Sequence, residues 1–379
     1  MYKVRKVLPT GYYTMVKKNE QIVLGIETSC DDTAVGIVTG NKKVLANEVY
    51  NQVTEHAPYG GVVPEIAARS HVEHLDHLLA NALKTAGLKW HDIDAIAATA
   101  GPGLIGGLMV GMVSAKTLCL ALGKPFMAIN HLAGHALSPR LVADISFPYL
   151  LLLISGGHCQ LIAVEGVDKF KRLGTTIDDA AGEAFDKGAK LLGLGIPGGP
   201  NLEKAAKEGN AEKFKLPRPL IGTSGCDFSF SGLKTALLRE VTVIANQEKP
   251  LKNKTIQDLA ASYQMAIADC LVDRSKNALE MYRDLVAPGP NPTFVIAGGV
   301  AANTLIRRRI ETLCEKNGFG FFAPPSWLCT DNGAMIAWAG CERLGNSTPD
   351  GLDFTARARW PLDEDSAPKI GHGKRGVKV

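Results

Sequence analysis

The sequence predicts an α/β protein built from two similar lobes with a ligand cleft between them. Its length of 379 residues is too great for one compact core and suits two domains. Hydrophobic residues make up 46% of the chain and charged residues 21%, which is the composition of an ordinary globular protein. The order of the glycine-centred turns predicts an internal duplication, because the same succession of predicted elements occurs twice.

Two of these turns join short apolar runs and predict β-hairpins. Ile22–Ile26 is linked to Ala34–Val38, and Leu150–Ile154 is linked to Leu161–Val164. Each hairpin is followed later by an apolar strand, a glycine turn and a helix, over Ile93–Leu122 and Phe294–Leu313. Duplicated lobes of this kind bind ligands beyond the strand ends, where backbone N–H groups can meet phosphate.

The lobe boundaries follow from these units. We expect a first lobe over residues 21–146, with a helix at about 331–345 packing back on it. A second lobe over 147–330 carries an inserted helical segment, and 346–379 form a tail with little order. Hairpin phosphate loops in both lobes are typical of the actin-like, hexokinase-like ATPase architecture. The sequence contains no Walker loop, and Gly101-x-Gly103-x-x-Gly106 lacks the later acidic residue that a dinucleotide site requires.

Charge and cysteine content limit the partners and the cellular compartment that the sequence predicts. Lysine and arginine total 42 against 38 acidic residues, and this net charge of +4 permits a nucleic-acid partner without predicting one. The 8 cysteines include no Cys-x-x-Cys pair, which favours a reducing compartment. We expect a cytoplasmic protein, with mitochondrial import through the basic head Met1–Lys18 as the alternative. The basic tail Lys369–Val379 suits a solvated terminus. The uncharged stretch Ala95–Ala115 is broken by Gly101-Pro102-Gly103 and predicts a strand, a turn and a helix rather than a membrane span.

His131 and His135 form the sharpest local feature. On a helix, their i,i+4 spacing places two imidazoles on one face, where they can hold one metal ion. Leu132 stands where a metalloprotease carries its catalytic glutamate, so we reject a peptidase. Asp331 is the candidate third ligand; the alternative is that it caps the helix predicted over Gly333–Leu344.

Further polar groups have both functional and purely structural interpretations. Ser155-Gly156-Gly157 suits close backbone approach to phosphate, or is an ordinary tight hairpin. Asp31 and Asp32 could hold a metal-bound phosphate, act as a base, or form a solvated turn. Three histidines on one predicted helical face could form a second metal site or a polar surface: His71, His74 and His77.

Seven motifs, in family order, resemble the TsaD family of tRNA threonylcarbamoyladenosine transferases within the actin-like ATPase superfamily. The resemblance extends from about Val23 to Leu344. The motifs are Gly25–Thr33, His131–His135, Ser155–His158, Asp178–Lys187, Pro197–Pro200, Gly298–Asn303 and Thr330–Met335.

The resemblance implies a reaction and its residues. A threonylcarbamoyl group passes from threonylcarbamoyl-AMP to N6 of the adenosine 3′ to the anticodon, in tRNAs that read codons starting with A. One divalent ion, iron or zinc, would be held by His131, His135 and Asp331. Glu203 stands where many relatives carry aspartate, which leaves that contact open, and Asp31 is our candidate general base. The implied substrate contacts are Leu153, Ile154, Ser155, Gly156, Gly157, Asp186, Gly199 and Asn303.

The resemblance also implies partners. Bacterial relatives resemble one arm of a complex with a shorter paralogous subunit and a small ATPase, and the apolar helix Leu104–Leu122 and the helix after Pro64 are candidate contact surfaces. The tRNA could meet a basic cluster on the last predicted strand–turn–helix unit, formed by Arg307, Arg308 and Arg309, or these could be a solvated helix face. Two alternatives stay open from the sequence: a small-molecule kinase of the same fold, and a non-catalytic tRNA-binding scaffold subunit.

Overall fold

The computed structural model describes residues 20–247, 250–286, 289 and 291–366. The basic segments Met1–Lys18 and Lys369–Val379, and with them the mitochondrial import signal considered above, lie outside these residues.

Two five-stranded sheets organise the described chain. The strands of the first are β1 Ile22–Glu27, β2 Asp32–Thr39, β3 Val44–Asn51, β4 Ala95–Gly101 and β5 Phe126–Asn130. Those of the second are β6 Tyr149–Ile154, β7 Cys159–Gly166, β8 Lys169–Thr175, β9 Thr293–Ala297 and β10 Gly320–Phe322.

The two sheets have the same topology. Their orders are β3-β2-β1-β4-β5 and, read in the same sense, β8-β7-β6-β9-β10. In each, the central strand pairs antiparallel with its hairpin partner and parallel with the strand of the later strand–turn–helix unit. The predicted α/β duplication is therefore confirmed in strand order and direction.

Helices flank both sheets. In chain order they are α1 Val53–His56, α2 Pro64–Ala86, α3 Ile105–Leu122, α4 His131–Leu137, α5 Pro139–Val142, α6 Ala181–Leu191, α7 Gly198–Ala206, α8 Ser231–Gln247, α9 Asn253–Val286, α10 Thr304–Lys316, α11 Ser326–Cys329 and α12 Gly333–Leu344. Four of them, α6 to α9, come between β8 and β9 and form the inserted helical segment of the second half. Helix α12 has the bounds that the sequence predicts.

Helix α12 packs against the first sheet although it comes last in the chain. Strand β1 is buried on both faces: Leu24 joins the cluster formed with α2, whereas Val23 joins the cluster formed with α12. The approach is close because Gly25 has no side chain; a Cβ there would lie 2.2 Å from the Ala337 nitrogen. This contact fixes the residues that precede α12, including Asp331, beside the first half of the chain.

Helix α3 is the apolar element of the predicted strand–turn–helix unit. By length and composition it could cross a membrane, and 33% of the relevant window is buried. Gly107 brings it against the first hairpin, since a Cβ at that position would lie 2.3 Å from the Thr28 carbonyl oxygen. Thr28 Oγ1 in turn donates to the Gly107 carbonyl at 2.9 Å. The predicted strand, turn and helix are thus observed.

The low order predicted for the chain after Gly345 is wrong for its described part. The Arg357 N–H donates to the Ala100 carbonyl at 2.8 Å, and the Gly103 N–H donates to the Ala358 carbonyl at 3.2 Å. The Asp363 carboxylate accepts from the Arg172 N–H at 2.8 Å on β8, so the segment is bonded to both sheets. All these partners are remote in sequence, which is why local composition does not reveal them.

Candidate active site

Two histidines and one aspartate meet at the end of the first sheet. Helix α4 begins directly after β5, because the Asn130 side chain accepts a hydrogen bond from the Leu132 N–H at 2.9 Å and caps the helix. His131 and His135 then lie one turn apart, with their Nε2 atoms 3.5 Å and 3.0 Å from Asp331 Oδ1. Candidate ligand atoms of the three residues lie within 4.8 Å of one another, the one such group found in the described chain.

Asp331 does not cap the helix that follows it. The cap of α12 is Asn332, whose side chain accepts from the Met335 N–H at 2.9 Å. The alternative of Asp331 as a helix cap is therefore wrong, and its carboxylate faces the histidines instead.

Opposite charges on the histidines and the carboxylates stabilise each other within this cluster. Burial by itself lowers the pKa of His131, but the carboxylates of Glu27 and Asp331 outweigh it and raise the pKa to about 9. Burial also opposes ionisation of Asp331, yet His131 and the hydrogen bond from His135 hold its pKa well below the usual range. The carboxylates around His131 therefore stabilise a positive charge at this position.

Glu27 is a site residue to which the sequence analysis assigns no role. It ends β1, is fully buried, and lies with Oε2 2.9 Å from His131 Nδ1. Its carboxylate also accepts from the Ser29 N–H at 2.6 Å and from the Thr99 hydroxyl. The sequence signal is a single carboxylate that closes the apolar run Ile22–Ile26, since a buried acid at a strand end requires partners.

A cleft of about 530 Å³ opens from this cluster, and residues of both halves line it. Asp31 and Asp32 line it on the side of the first hairpin together with His131 and Asp331. Burial, with the nearby carboxylates of Asp331 and Asp31, raises the pKa of Asp32 to about 7. A carboxyl group with a pKa near neutrality is suited to proton transfer, and this feature distinguishes Asp32 among the acids of the cleft.

Ser155-Gly156-Gly157 lines the opposite side of the same cleft. It is a tight hairpin, as the second sequence interpretation predicts, and the Ser155 N–H donates to the His158 carbonyl at 2.8 Å. A Cβ on Gly156 or Gly157 would meet no atom within 4 Å, and the backbone of the turn is therefore open to a ligand.

Leu153 and Ile154, although implied as substrate contacts, have fully buried side chains in the core of the second half. They belong to the central strand β6, which is hydrogen-bonded on both edges, so their side chains point into apolar clusters. Side-chain contact with substrate at these two positions is therefore excluded, and only their backbone lies near the turn.

Asp186 and Gly199, from separate motifs, contact each other. The Asp186 carboxylate accepts hydrogen bonds from the backbone N–H groups of Gly198 and Gly199, at the start of α7. The approach depends on glycine, because a Cβ on Gly198 would lie 2.6 Å from Asp186 Oδ1. Asp186 thus fixes the N-terminus of α7.

Asn303 and Glu203 hold the start of α10. Asn303 accepts from the Ile306 N–H at 3.1 Å and donates its amide to Gln264 at 2.8 Å. Glu203 accepts from the Thr304 N–H at 2.9 Å and from the Thr304 hydroxyl. The carboxylate left open by the sequence comparison therefore has a structural role in joining α7 to α10.

The three histidines of α2 do not converge on a second metal site. His71 points inward, with Nδ1 2.8 Å from Thr33 Oγ1 and Nε2 3.0 Å from the Cys30 carbonyl. His74 stacks on Tyr50, and the side chain of His77 is exposed. The interpretation as a metal site fails because α2 turns one histidine into the core and two outward.

The three arginines of α10 likewise do not share one environment. Arg307 donates to the carbonyl groups of Ala301 and Pro324, and Arg309 pairs with Asp269. Only Arg308 of the three is exposed. A tRNA contact by the whole cluster would require Arg307 and Arg309 to leave partners within the protein.

Comparison with known proteins identifies the family of this chain. A profile of the TsaD family, tRNA N6-adenosine threonylcarbamoyltransferase, matches residues 43–338. The tRNA N6-adenosine threonylcarbamoyltransferase of Brucella anthropi is 57% identical over 361 residues, which cover 94% of this chain and 99% of the relative. The enzyme of the same name from Brucella abortus is 56% identical over the same coverage.

Solved structures of low identity support the fold alone. Full-length HypF in its phosphate- and nucleotide-bound form aligns with a TM-score of 0.56 at 12% identity, over 88% of this chain and 48% of HypF. HypF from T. kodakarensis aligns with a TM-score of 0.53 at 16% identity, over 86% of this chain and 48% of that protein. The fold is the actin-like ATPase fold expected from the duplicated hairpins. Neither the kinase nor the scaffold alternative finds support among these relatives, and the chain belongs to the family of tRNA N6-adenosine threonylcarbamoyltransferases.

Proposed function

We propose that this protein transfers the threonylcarbamoyl group of threonylcarbamoyl-AMP to N6 of the adenosine 3′ to the anticodon of tRNAs that read codons starting with A. One observation carries the proposal beyond family membership: His131, His135 and Asp331 lie at one end of a cleft whose other side is the open backbone turn Ser155–Gly157. A group that polarises the acyl function and a turn that can receive phosphate thus face the same space.

The first half supplies the residues that would hold a divalent ion. Two imidazole nitrogens and one carboxylate oxygen within 4.8 Å of one another suit such an ion, and nitrogen ligands favour iron or zinc over magnesium. His135 Nε2 lies 3.0 Å from Asp331 Oδ1, so an ion bound there would replace the hydrogen bond between these two ligands. When bound, the ion would act as a Lewis acid toward the carbamoyl oxygen.

The second half would bind the adenylate. The exposed backbone of Gly156 and Gly157 would bind its phosphate, and Leu153 and Ile154 would contribute through their backbone alone. Asp186 on α6, Gly199 on α7 and Asn303 at the start of α10 would bind the nucleoside. Asp186 also fixes the start of α7, and Asn303 caps α10.

The chemical step requires a proton acceptor. The N6 amine attacks the carbamoyl carbon, the C–N bond forms, the bond between that carbon and the phosphate oxygen breaks, and AMP leaves with the electron pair. The amine proton passes to a carboxylate of the first hairpin. Asp31 is the candidate from the sequence, and the raised pKa of Asp32 makes it a second candidate for the same role.

Helices α2 and α3 form the proposed surface for a shorter paralogous subunit. Large apolar side chains are exposed on them: Val72, Ile105, Met109, Val113 and Leu120. The most exposed are Leu120 at 71% and Val72 at 64%. Apolar exposure on two adjacent helices is typical of a protein interface, and we propose that this surface, with a small ATPase as third component, forms a bacterial-type complex acting in the cytoplasm.

We further propose the lobe boundaries expected from the sequence. Residues 21–146 with helix α12 would form the first lobe, residues 147–330 the second, and 346–379 a C-terminal segment. The burial of Val23 against α12 supports assigning that helix to the first lobe.

A reconstituted transfer assay tests the proposal. The purified chain, with and without its candidate partners, is incubated with threonylcarbamoyl-AMP and unmodified tRNA, and the modified nucleoside is measured by mass spectrometry. We expect product that depends on the adenosine next to the anticodon, together with about one bound metal ion per chain. Failure to form product with partners present and metal bound would reject the transferase function.

A further inference from the structure

The two candidate metal-ligating histidines differ at the nitrogen that faces away from Asp331. His131 Nδ1 lies 2.9 Å from Glu27 Oε2 and 3.1 Å from Ser29 Oγ. His135 Nδ1 is buried and has no hydrogen-bond partner in the described part of the chain. Two side chains that are equivalent by spacing are therefore unequal by environment.

Glu27 can only accept from His131. A carboxylate has no proton to give when ionised, and its other contacts are donors as well: the Ser29 N–H on Oε1 and the Thr99 hydroxyl on Oε2. The proton in the contact between His131 and Glu27 must therefore belong to Nδ1 of the imidazole. With that proton held on Nδ1, Nε2, the atom on the side of Asp331, is the nitrogen that binds an ion once its own proton is lost.

We propose that Glu27 is a positioning residue that fixes the proton of His131 on Nδ1 and makes His131 the stronger of the two histidine ligands. The inference rests on the metal site of the proposed function and adds to it an order of ligand strength. A carboxylate that accepts the second ring proton orients a ligating imidazole and raises its basicity, and loss of such a partner weakens metal binding about 10- to 100-fold. His135 lacks such a partner and is the weaker ligand.

A purely structural role for Glu27 predicts different behaviour. The carboxylate also joins the first hairpin to β4 through Thr99, and this link alone could justify its burial. Thr99→Val removes that hydrogen bond at nearly constant volume and leaves the contact to His131 in place, so it is the matched control.

Metal affinity separates the two roles. Zn²⁺ or Co²⁺ is titrated into the metal-free protein against a chelator of known affinity, for the wild type, Glu27→Gln and Thr99→Val. A glutamine of the same size must turn its amide nitrogen toward one of the present donors, so one contact is lost. We expect Glu27→Gln to bind either ion 10- to 100-fold more weakly with a changed Co²⁺ absorption spectrum, and Thr99→Val to stay within about threefold of the wild type.

A measurement on the wild type covers the case in which Glu27→Gln does not fold. Nitrogen-15 labelling of the histidines, in the Zn²⁺-loaded protein, reports which ring nitrogen carries the proton, and His131→Gln and His135→Gln assign the signals. We expect a slowly exchanging Nδ1 proton on His131. A proton on Nε2 of His131, or unchanged metal affinity in folded Glu27→Gln, would overturn the inference. A wild-type protein that binds neither ion would instead reject the metal site of the proposed function.

Discussion

The two halves of the chain present different chemical groups from the same strand arrangement. In the first half, the central strand β1 ends with Glu27, the turn after it leads through Asp31 to Asp32 at the start of β2, and helix α4 begins with His131 directly after β5. In the second half, the turn after the equivalent strand β6 is Ser155–Gly157, with exposed glycine backbone. One half therefore offers charged side chains and the other offers backbone N–H groups.

The glycine turns before the long helices differ in the same sense. Both turns line the cleft, at Gly103 and at Gly299. The first turn is hydrogen-bonded to the C-terminal segment, since the Gly103 N–H donates to the Ala358 carbonyl. At Gly299 of the second turn, an added Cβ would meet no atom within 4 Å. The same topology thus presents different groups to one cleft, which is the basis of the division of roles that we propose.

The largest expected effect comes from removing a side chain of the first half. His131→Ala should lower transfer to tRNA by about 10²- to 10⁴-fold, since a Lewis-acid contribution amounts to several kcal/mol. Adenine-nucleotide binding, measured by calorimetry, should stay near the wild-type value because the second half holds it. His77→Ala, on the exposed face of α2, is the control. Wild-type transfer by a folded His131→Ala protein would contradict the assignment of the metal chemistry to the first half.

The pH dependence of stability tests the proposed acid–base role of Asp32 in the first half. Burial and the neighbouring carboxylates raise the pKa of Asp32 from its ordinary value of 3.8 to about 7, so its ionisation destabilises the fold as pH rises from about 4 to about 7. In the metal-free protein, Asp32→Asn should therefore raise the free energy of unfolding by on the order of 2 kcal/mol at pH 8 and by little at pH 4. Thermal or urea unfolding at both pH values measures this.

Although Asp32→Asn should raise stability, it should lower catalytic activity. Loss of a general base should lower transfer by about 10²-fold. Asp76→Asn, at an exposed position on α2, controls for the change of charge. Equal stability gains at pH 4 and pH 8 would contradict the raised pKa, and unchanged transfer would leave Asp31 as the candidate base.

A change in the second half should show the reverse pattern. Asn303→Ala should weaken adenine-nucleotide binding about tenfold, which corresponds to about 1.4 kcal/mol, and leave the metal content of the protein unchanged. Because Asn303 also caps α10, the variant should lose about 1 kcal/mol of stability. Metal analysis and calorimetry on one preparation give both values, and loss of metal would show that the halves are not separable in this way.

The smallest effect is expected on the surface. Arg308→Ala should reduce tRNA affinity only a few-fold and lower the salt dependence of binding by about one ion, since it would remove one phosphate contact. Lys204→Ala, on the exposed part of α7, is a comparison for loss of one positive charge. Arg309→Ala should instead destabilise the protein, because Arg309 pairs with Asp269. An unchanged salt dependence for Arg308→Ala would remove α10 from the tRNA surface.

Residue patterns in the sequence were sufficient to predict the duplicated α/β topology and the pairing of His131 with His135. Apolar runs next to glycine turns specify local hairpins and strand–turn–helix units, and the i,i+4 spacing of His131 and His135 fixes their common face on a helix. These features depend on neighbours in the chain, which a sequence displays directly. For Asp331, which lies 196 residues from His135, the residues alone left a helix cap as the alternative, and the family resemblance implied the ligand role.

Tertiary structure alone decided the role of each polar group that has remote partners. Glu27 reaches His131, Asp363 binds the backbone of β8, and Asn303 and Glu203 hold α10, all across large separations in sequence. Likewise, burial in a central strand removes the side chains of Leu153 and Ile154 from the cleft, although both precede the turn that lines it. Burial and long-range hydrogen bonds arise only when the sheets and helices pack, and local residue patterns carry no record of them.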